Sequence, residues 1–190
     1  SSIPASSPAV IRIKPIEATP ESFLEFGQVI EPTRDDVKFG PQDAQLDLSL
    51  GIPRLYVMHL EDKPLKFSDI THHAKVTQCL GSVGAQVWYL GIAKPSIVEK
   101  DDYEEEEPGV VVVHQSAAGG HFYAPPSVDE VRVFRISGPK FLMLKRGTWH
   151  AGPLFTHAAM DFYNLELSDT DMDFTTHDFE KENGVVFSVE

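Results

Sequence analysis

Through most of the chain, apolar and polar positions alternate with a period near two, and Gly, Pro and Asp break the runs into short pieces. Val10–Ile16 alternates apolar and basic residues and then meets a turn, which predicts a short strand. Thr19-Pro20-Glu21-Ser22 carries the start signals of a helix, with Thr19 as N-cap and Pro20 at the first helical position. Phe23, Leu24 and Phe26 give that short N-terminal helix an apolar face, and Gly27 ends it. After it, strands are predicted at Val29–Glu31, Leu55–Leu60, Lys66–His73, Val76–Leu80, Ala85–Ile92, Val110–His114, Val131–Ser137, Lys140–Lys145 and Asp161–Leu167. Many short strands with close turns make the expected class mainly β, a sandwich or a barrel such as a jelly roll. No repeat of fixed period is present.

Composition narrows this picture. The 190 residues hold 16 Lys+Arg against 29 Asp+Glu, a net charge of −13. Hydrophobic residues make up 42% and charged residues 24%, enough apolar material for a core. The negative excess argues against nucleic acid and against an anionic membrane surface as partners, but a pocket can still be locally basic and take a small anionic substrate. A single cysteine, Cys79, excludes an internal disulfide framework and any all-cysteine metal site. The dense apolar patches Val110–Val113 and Phe141–Leu144 fall far short of a membrane span. The Ser/Pro-rich start lacks an apolar signal core, so residues 1–9 are expected to be a flexible tail, 10–190 a single domain, and the location cytoplasmic. Residues 99–108 form a block of like charge that reads as a solvated loop and supplies much of the net charge.

Eight histidines are present, and what matters is whether several converge. On a regular strand, Thr71 and His73 share one face and His72 takes the other. Gln78 and Gly84 follow, and Gly147-Thr148-Trp149-His150 lies far downstream at the end of another strand.

That order resembles the cupin motifs, in which two histidines one residue apart, an acid and a glycine precede a distant Gly-x-x-His. Here Thr71 stands at the first histidine, His73 at the second, Gln78 at the acid, Gly84 at the closing glycine, and Gly147 with His150 at the second motif. The resemblance implies a cupin-like jelly-roll β-barrel. Threonine and amide in place of histidine and carboxylate remove two ligands for a divalent ion, so no metal cofactor is expected. His73 and His150 are the two donors left for a weakly held divalent metal.

A closer resemblance is to the ureidoglycolate lyase (ureidoglycolate hydrolase) family of cupin-like homodimers. Phe23 to Glu31, His73-Ala-Lys-Val-Thr77-Gln78, Gln86 to Pro95, and Arg132-Val-Phe134 with Gly138 carry it in order. Arg146-Gly-Thr-Trp149-His150, Pro153-Leu154-Phe155 and Asp161-Phe162 complete it, the Arg-to-His block being the most specific. Against the shorter bacterial members, an acidic stretch near 98–128 and another around 33–53 read as insertions. The resemblance implies a homodimer and an enzyme of allantoin catabolism, within purine degradation, that cleaves ureidoglycolate to glyoxylate and urea by acid–base chemistry without a redox cofactor.

Three roles follow from that chemistry. A cation holds the carboxylate, with Arg146 the first choice because guanidinium suits bidentate binding, and Lys145 and Arg132 as runners-up. A base takes the hydroxyl proton, for which His73 or His150 serves. Gln78, which both donates and accepts, recognises the ureido group. Asp161 is placed to orient a histidine, Thr71 lines the barrel, and His59 lies beside His73 or elsewhere in the core or on the surface. Two other readings stay open, a metal-dependent cupin (dioxygenase or isomerase) and a non-catalytic cupin that binds a small carboxylate.

Overall fold

The computed structural model describes residues 6–99 and 112–190. The acidic block from Lys100 onward and the first half of the strand expected at Val110–His114 lie outside the described residues.

The structure is mainly β, built on two large sheets. The six-stranded sheet orders β16 (Thr175–Asp178), β6 (Asp69–His72), β14 (Trp149–Leu154), β8 (Trp88–Ala93), β12 (Arg132–Ile136) and β2 (Ile16–Glu17). The five-stranded sheet orders β3 (Gly27–Ile30), β13 (Phe141–Leu144), β7 (Gln78–Ser82), β15 (Ala159–Leu167) and β4 (Pro53–Glu61). Each has two free edges, so the strands do not close into a barrel.

The first core fills the space between these sheets. Trp88, Leu90, Ile92, Phe134 and Ile136 from one meet Val29, Leu80, Leu142, Leu144, Met160 and Phe162 from the other. Trp88 meets Phe162 edge-on at 5.2 Å, and Phe23 meets Phe134 edge-on at 5.0 Å. Each such buried aromatic stabilises the fold by roughly 1.5–3 kcal/mol.

A third layer covers the other face of the six-stranded sheet. There β1 (Ala9–Ile13), β17 (Val185–Val189) and β5 (Lys66–Phe67) form a three-stranded sheet, joined by the short helix α1 (Phe179–Asn183). Phe67, Ile70, Ala93, Val133, Trp149, Phe179 and Phe187 make the second core. This explains why β8 is apolar on both sides. Trp88, Leu90 and Ile92 face the first core, while Tyr89 and Ala93 face the second. Gly91 lies between, where a Cβ would come 2.5 Å from the Phe67 ring. A small sheet of β10 (His114–Gln115), β11 (Phe122–Tyr123) and β9 (Ile97–Val98) stands at one end.

The helix expected from Thr19 is corrected to a compact turn. The Ser22 and Thr19 side chains each accept from the other's backbone N–H, at 3.0 and 2.9 Å between Ser22 N and Thr19 Oγ1 and between Thr19 N and Ser22 Oγ. Phe23 N then donates to Thr19 O and Gly27 N to Phe23 O. The first turn of a helix is costly, and here burial of Phe23 and Phe26 draws the chain into β3 before a second turn forms. The single strand expected at Lys66–His73 is two, β5 and β6, which belong to different sheets.

Candidate functional site

At one end of the space between the large sheets lies a cavity of 480 Å³. On β6, Ile70 and His72 are fully buried toward the second core, so Asp69 and Thr71 point the other way and line the cavity. His150 on β14 stands in register opposite Thr71. Gln78 and Leu80 enter from β7, and Met58 and Leu60 from β4. Lys63 and Ser68 complete the polar lining, and the chain at Gly152–Leu154, where the β14 register shifts, forms a wall.

Gln78 is 8% exposed. Its Nε2 donates to Asn164 Oδ1 at 2.9 Å, and Asn164 Nδ2 donates in turn to the Tyr56 hydroxyl at 3.2 Å. This chain fixes the amide, and Gln78 Oε1 is left buried without a hydrogen-bond partner. Buried acceptors are ordinarily satisfied, so an orphan oxygen in a cavity wall suits a ligand that brings an N–H.

The His150 ring lies 5.2 Å from the His73 ring, centre to centre. His73 donates through Nδ1 to the Asp173 carbonyl at 2.6 Å, and His150 turns Nδ1 toward the Thr148 carbonyl at 3.4 Å. With Nδ1 as the donor, Nε2 is the acceptor on both rings. Burial, with the neighbouring His73 as a second cause, pushes the His150 pKa down to about 3. It is therefore neutral and proton-accepting near pH 7. The Asp69 carboxyl moves the other way, raised by desolvation and by the Asp178 carboxylate beside it.

Of the expected site residues, Thr71, Gln78, His150 and His73 are brought together. The cations are not. Arg146 donates through Nη1 to Asp47 at 3.0 Å and through Nε to the Ala74 carbonyl at 3.0 Å. Its expected strand register with His150 fails because a turn intervenes, with Thr148 N donating to Lys145 O and Gly147 at φ 82°. Lys145 donates to the Leu24 carbonyl, and Arg132 to the carbonyls of Asp129 and Val131. None of the three lines the cavity. Asp161 does hold a histidine, but it is His59, at 2.7 Å on the outer face of the five-stranded sheet, where Glu61 takes the other ring nitrogen at 3.0 Å. Those two hydrogen bonds, Glu61 first, raise the His59 pKa. His59 is not beside His73, because β4 turns His59 outward and Met58 and Leu60 inward.

Sequence reasoning missed Lys63 and Asp69. Lys63 sits in the turn after β4, with no periodicity to place it; Asp69 was inside an expected strand and shares the Thr71 face, a signal that was readable.

Cupins hold a metal on three or four such side chains, and this donor set does not fit one. Two imidazoles are present, Gln78 is committed to Asn164, and among the described residues no three His, Cys, Asp or Glu side chains are grouped to hold an ion. Compared with known proteins, the chain matches no family model and no curated sequence.

Proposed function

We propose that this chain is a carbon–nitrogen lyase of the ureidoglycolate lyase kind, with a cupin-like arrangement of its two large sheets, which releases urea and glyoxylate from ureidoglycolate. One observation carries the reading: a neutral imidazole, an unpartnered amide oxygen and an ammonium group line one cavity, at His150, Gln78 and Lys63.

Each matches one part of the substrate. Lys63 takes the place expected for Arg146 and pairs with the carboxylate. Gln78 Oε1 accepts a ureido N–H, which satisfies the orphan acceptor. His150 Nε2 accepts the hydroxyl proton as the carbonyl of glyoxylate forms. An imidazole held near 3 is a weak base in the empty cavity. A bound carboxylate favours the imidazolium form and pulls that value back toward neutrality, so substrate binding strengthens the base. His73, beside it, holds the ring in place through its own anchor to Asp173.

The test is urea and glyoxylate release by purified protein, measured against the spontaneous decay of ureidoglycolate, with and without a chelator. Release above the blank that survives chelation supports the reading. Release equal to the blank refutes it.

A further inference from the structure

We propose that Asp69, hydrogen-bonded to Asp178 at the cavity mouth, is the general acid that gives a proton to the ureido nitrogen as it leaves. The inference rests on the lyase reading and supplies the half of the reaction that His150 does not.

Asp69 on β6 and Asp178 on β16 are direct cross-strand partners, and their carboxyl groups are hydrogen-bonded. Two carboxylates both accept, so a bond between them requires one proton. Asp178 Oδ1 is already committed as an acceptor, capping α1 by taking the Lys181 N–H at 3.1 Å. The shared proton therefore belongs to Asp69, which donates to Asp178. Desolvation and the Asp178 charge both act to keep it there. The other polar groups on the same cavity are the Lys63 ammonium, the Thr71 hydroxyl, itself bonded to Thr176 at 2.9 Å, and the neutral His150 imidazole. The buried, unpartnered Gln78 oxygen in the same cavity is the independent sign of a ligand with an N–H to offer.

The step balances. His150 Nε2 takes the hydroxyl proton, and the O–H electron pair becomes the second C–O bond of glyoxylate. The C–N bond breaks with its pair on nitrogen, and Asp69 protonates that nitrogen to give urea. The site then holds an imidazolium and a second carboxylate, and one proton passed back through solvent resets both. Two groups with pKa values displaced in opposite directions are the usual mark of an acid–base pair.

The experiment compares Asp69→Asn, Asp69→Glu and Asp178→Asn in the whole protein, with folding checked by thermal unfolding. Asp69→Asn is expected to lower kcat about 100-fold with KM within about twofold, a general-acid-sized loss. Asp69→Glu regains part of it. Asp178→Asn removes the neighbouring charge, so the alkaline limb of kcat/KM moves to lower pH, and carbon-13 titration of the Asp69 carboxyl follows it. A folded Asp69→Asn variant with kcat within twofold of the wild type overturns the assignment, as does an unmoved alkaline limb in Asp178→Asn. A wild type that releases no urea above the blank removes the lyase reading itself and the acid with it, an outcome distinct from an active wild type with an active Asp69→Asn.

Discussion

His72 and His121 meet through their Nε2 atoms at 2.8 Å, so one ring donates and the other accepts, and both are neutral. His72 is fully buried, stacked within 4.0 Å of Trp149 and edge-on to Tyr123. This contact fastens the segment around β11 to the central sheet.

Acid is therefore expected to weaken the fold. Burial pushes His72 down to about 3, with His121 as a further cause, and His150 is held equally low. In the unfolded chain these rings titrate near 6.5. Between those values the unfolded state binds protons that the native state refuses, so this stability is complete above 6.5 and falls as the pH falls. The slope is about 1.4 kcal/mol per pH unit for each ring. Urea unfolding at stepped pH from 8 to 5 measures it, and a flat profile contradicts neutral burial. His121→Ala, which orphans His72 Nε2, is expected to cost about 1–3 kcal/mol at neutral pH.

Gln78 and Asn164 are expected to be coupled. Gln78→Leu removes an unsatisfied oxygen but orphans Asn164 Oδ1, and so costs about 1–3 kcal/mol. Changing both to leucine recovers part of that loss, because neither polar group remains. A double-mutant cycle in urea reads the difference, and additive losses refute the pair. Urea release falls at least tenfold in Gln78→Leu.

The two candidate cations separate cleanly. Lys63→Ala is expected to raise KM about tenfold or more through loss of a charge-assisted contact. Arg146→Ala leaves KM within twofold, because its guanidinium is occupied by Asp47 and Ala74 away from the cavity. Steady-state kinetics of both variants decides, and the reverse ranking restores Arg146 to the site.

Gly91→Ala is expected to destabilise by about 1–3 kcal/mol, the usual cost of overpacking. Its new Cβ meets the Phe67 ring at 2.5 Å between two filled layers. Phe67→Leu in the same background is expected to relieve part of it, read as a rise in thermal midpoint over Gly91→Ala alone.

Strands with clear alternation were legible before the structure: β4, β7, β8, β12, β13 and β15 lie within or close to the predicted segments. The alternation Val185, Phe187, Val189 in β17 was equally readable and went unused. Thr175–Asp178 carries no apolar pattern, since its pairing with β6 is built on hydroxyls and carboxyls, and nothing local announces it. In the site, the spacing of Thr71, Gln78 and His150 was enough to bring three cavity residues forward. Arg146 was misplaced because one glycine turn breaks the register that its assignment needed. Lys63 reaches the cavity only because distant strands converge, which no single stretch of sequence encodes.

The central strand has a dynamic consequence. β8 is hydrogen-bonded on both edges and plugs alternate side chains into opposite cores. Its backbone cannot yield to relieve one core without dislodging the other, so the layers open as one cooperative unit. The cavity is hung on that unit through β14, the direct neighbour of β8. Its polar groups therefore keep their spacing until the whole molecule unfolds, and the slowest amide exchange belongs to the strand that touches no ligand.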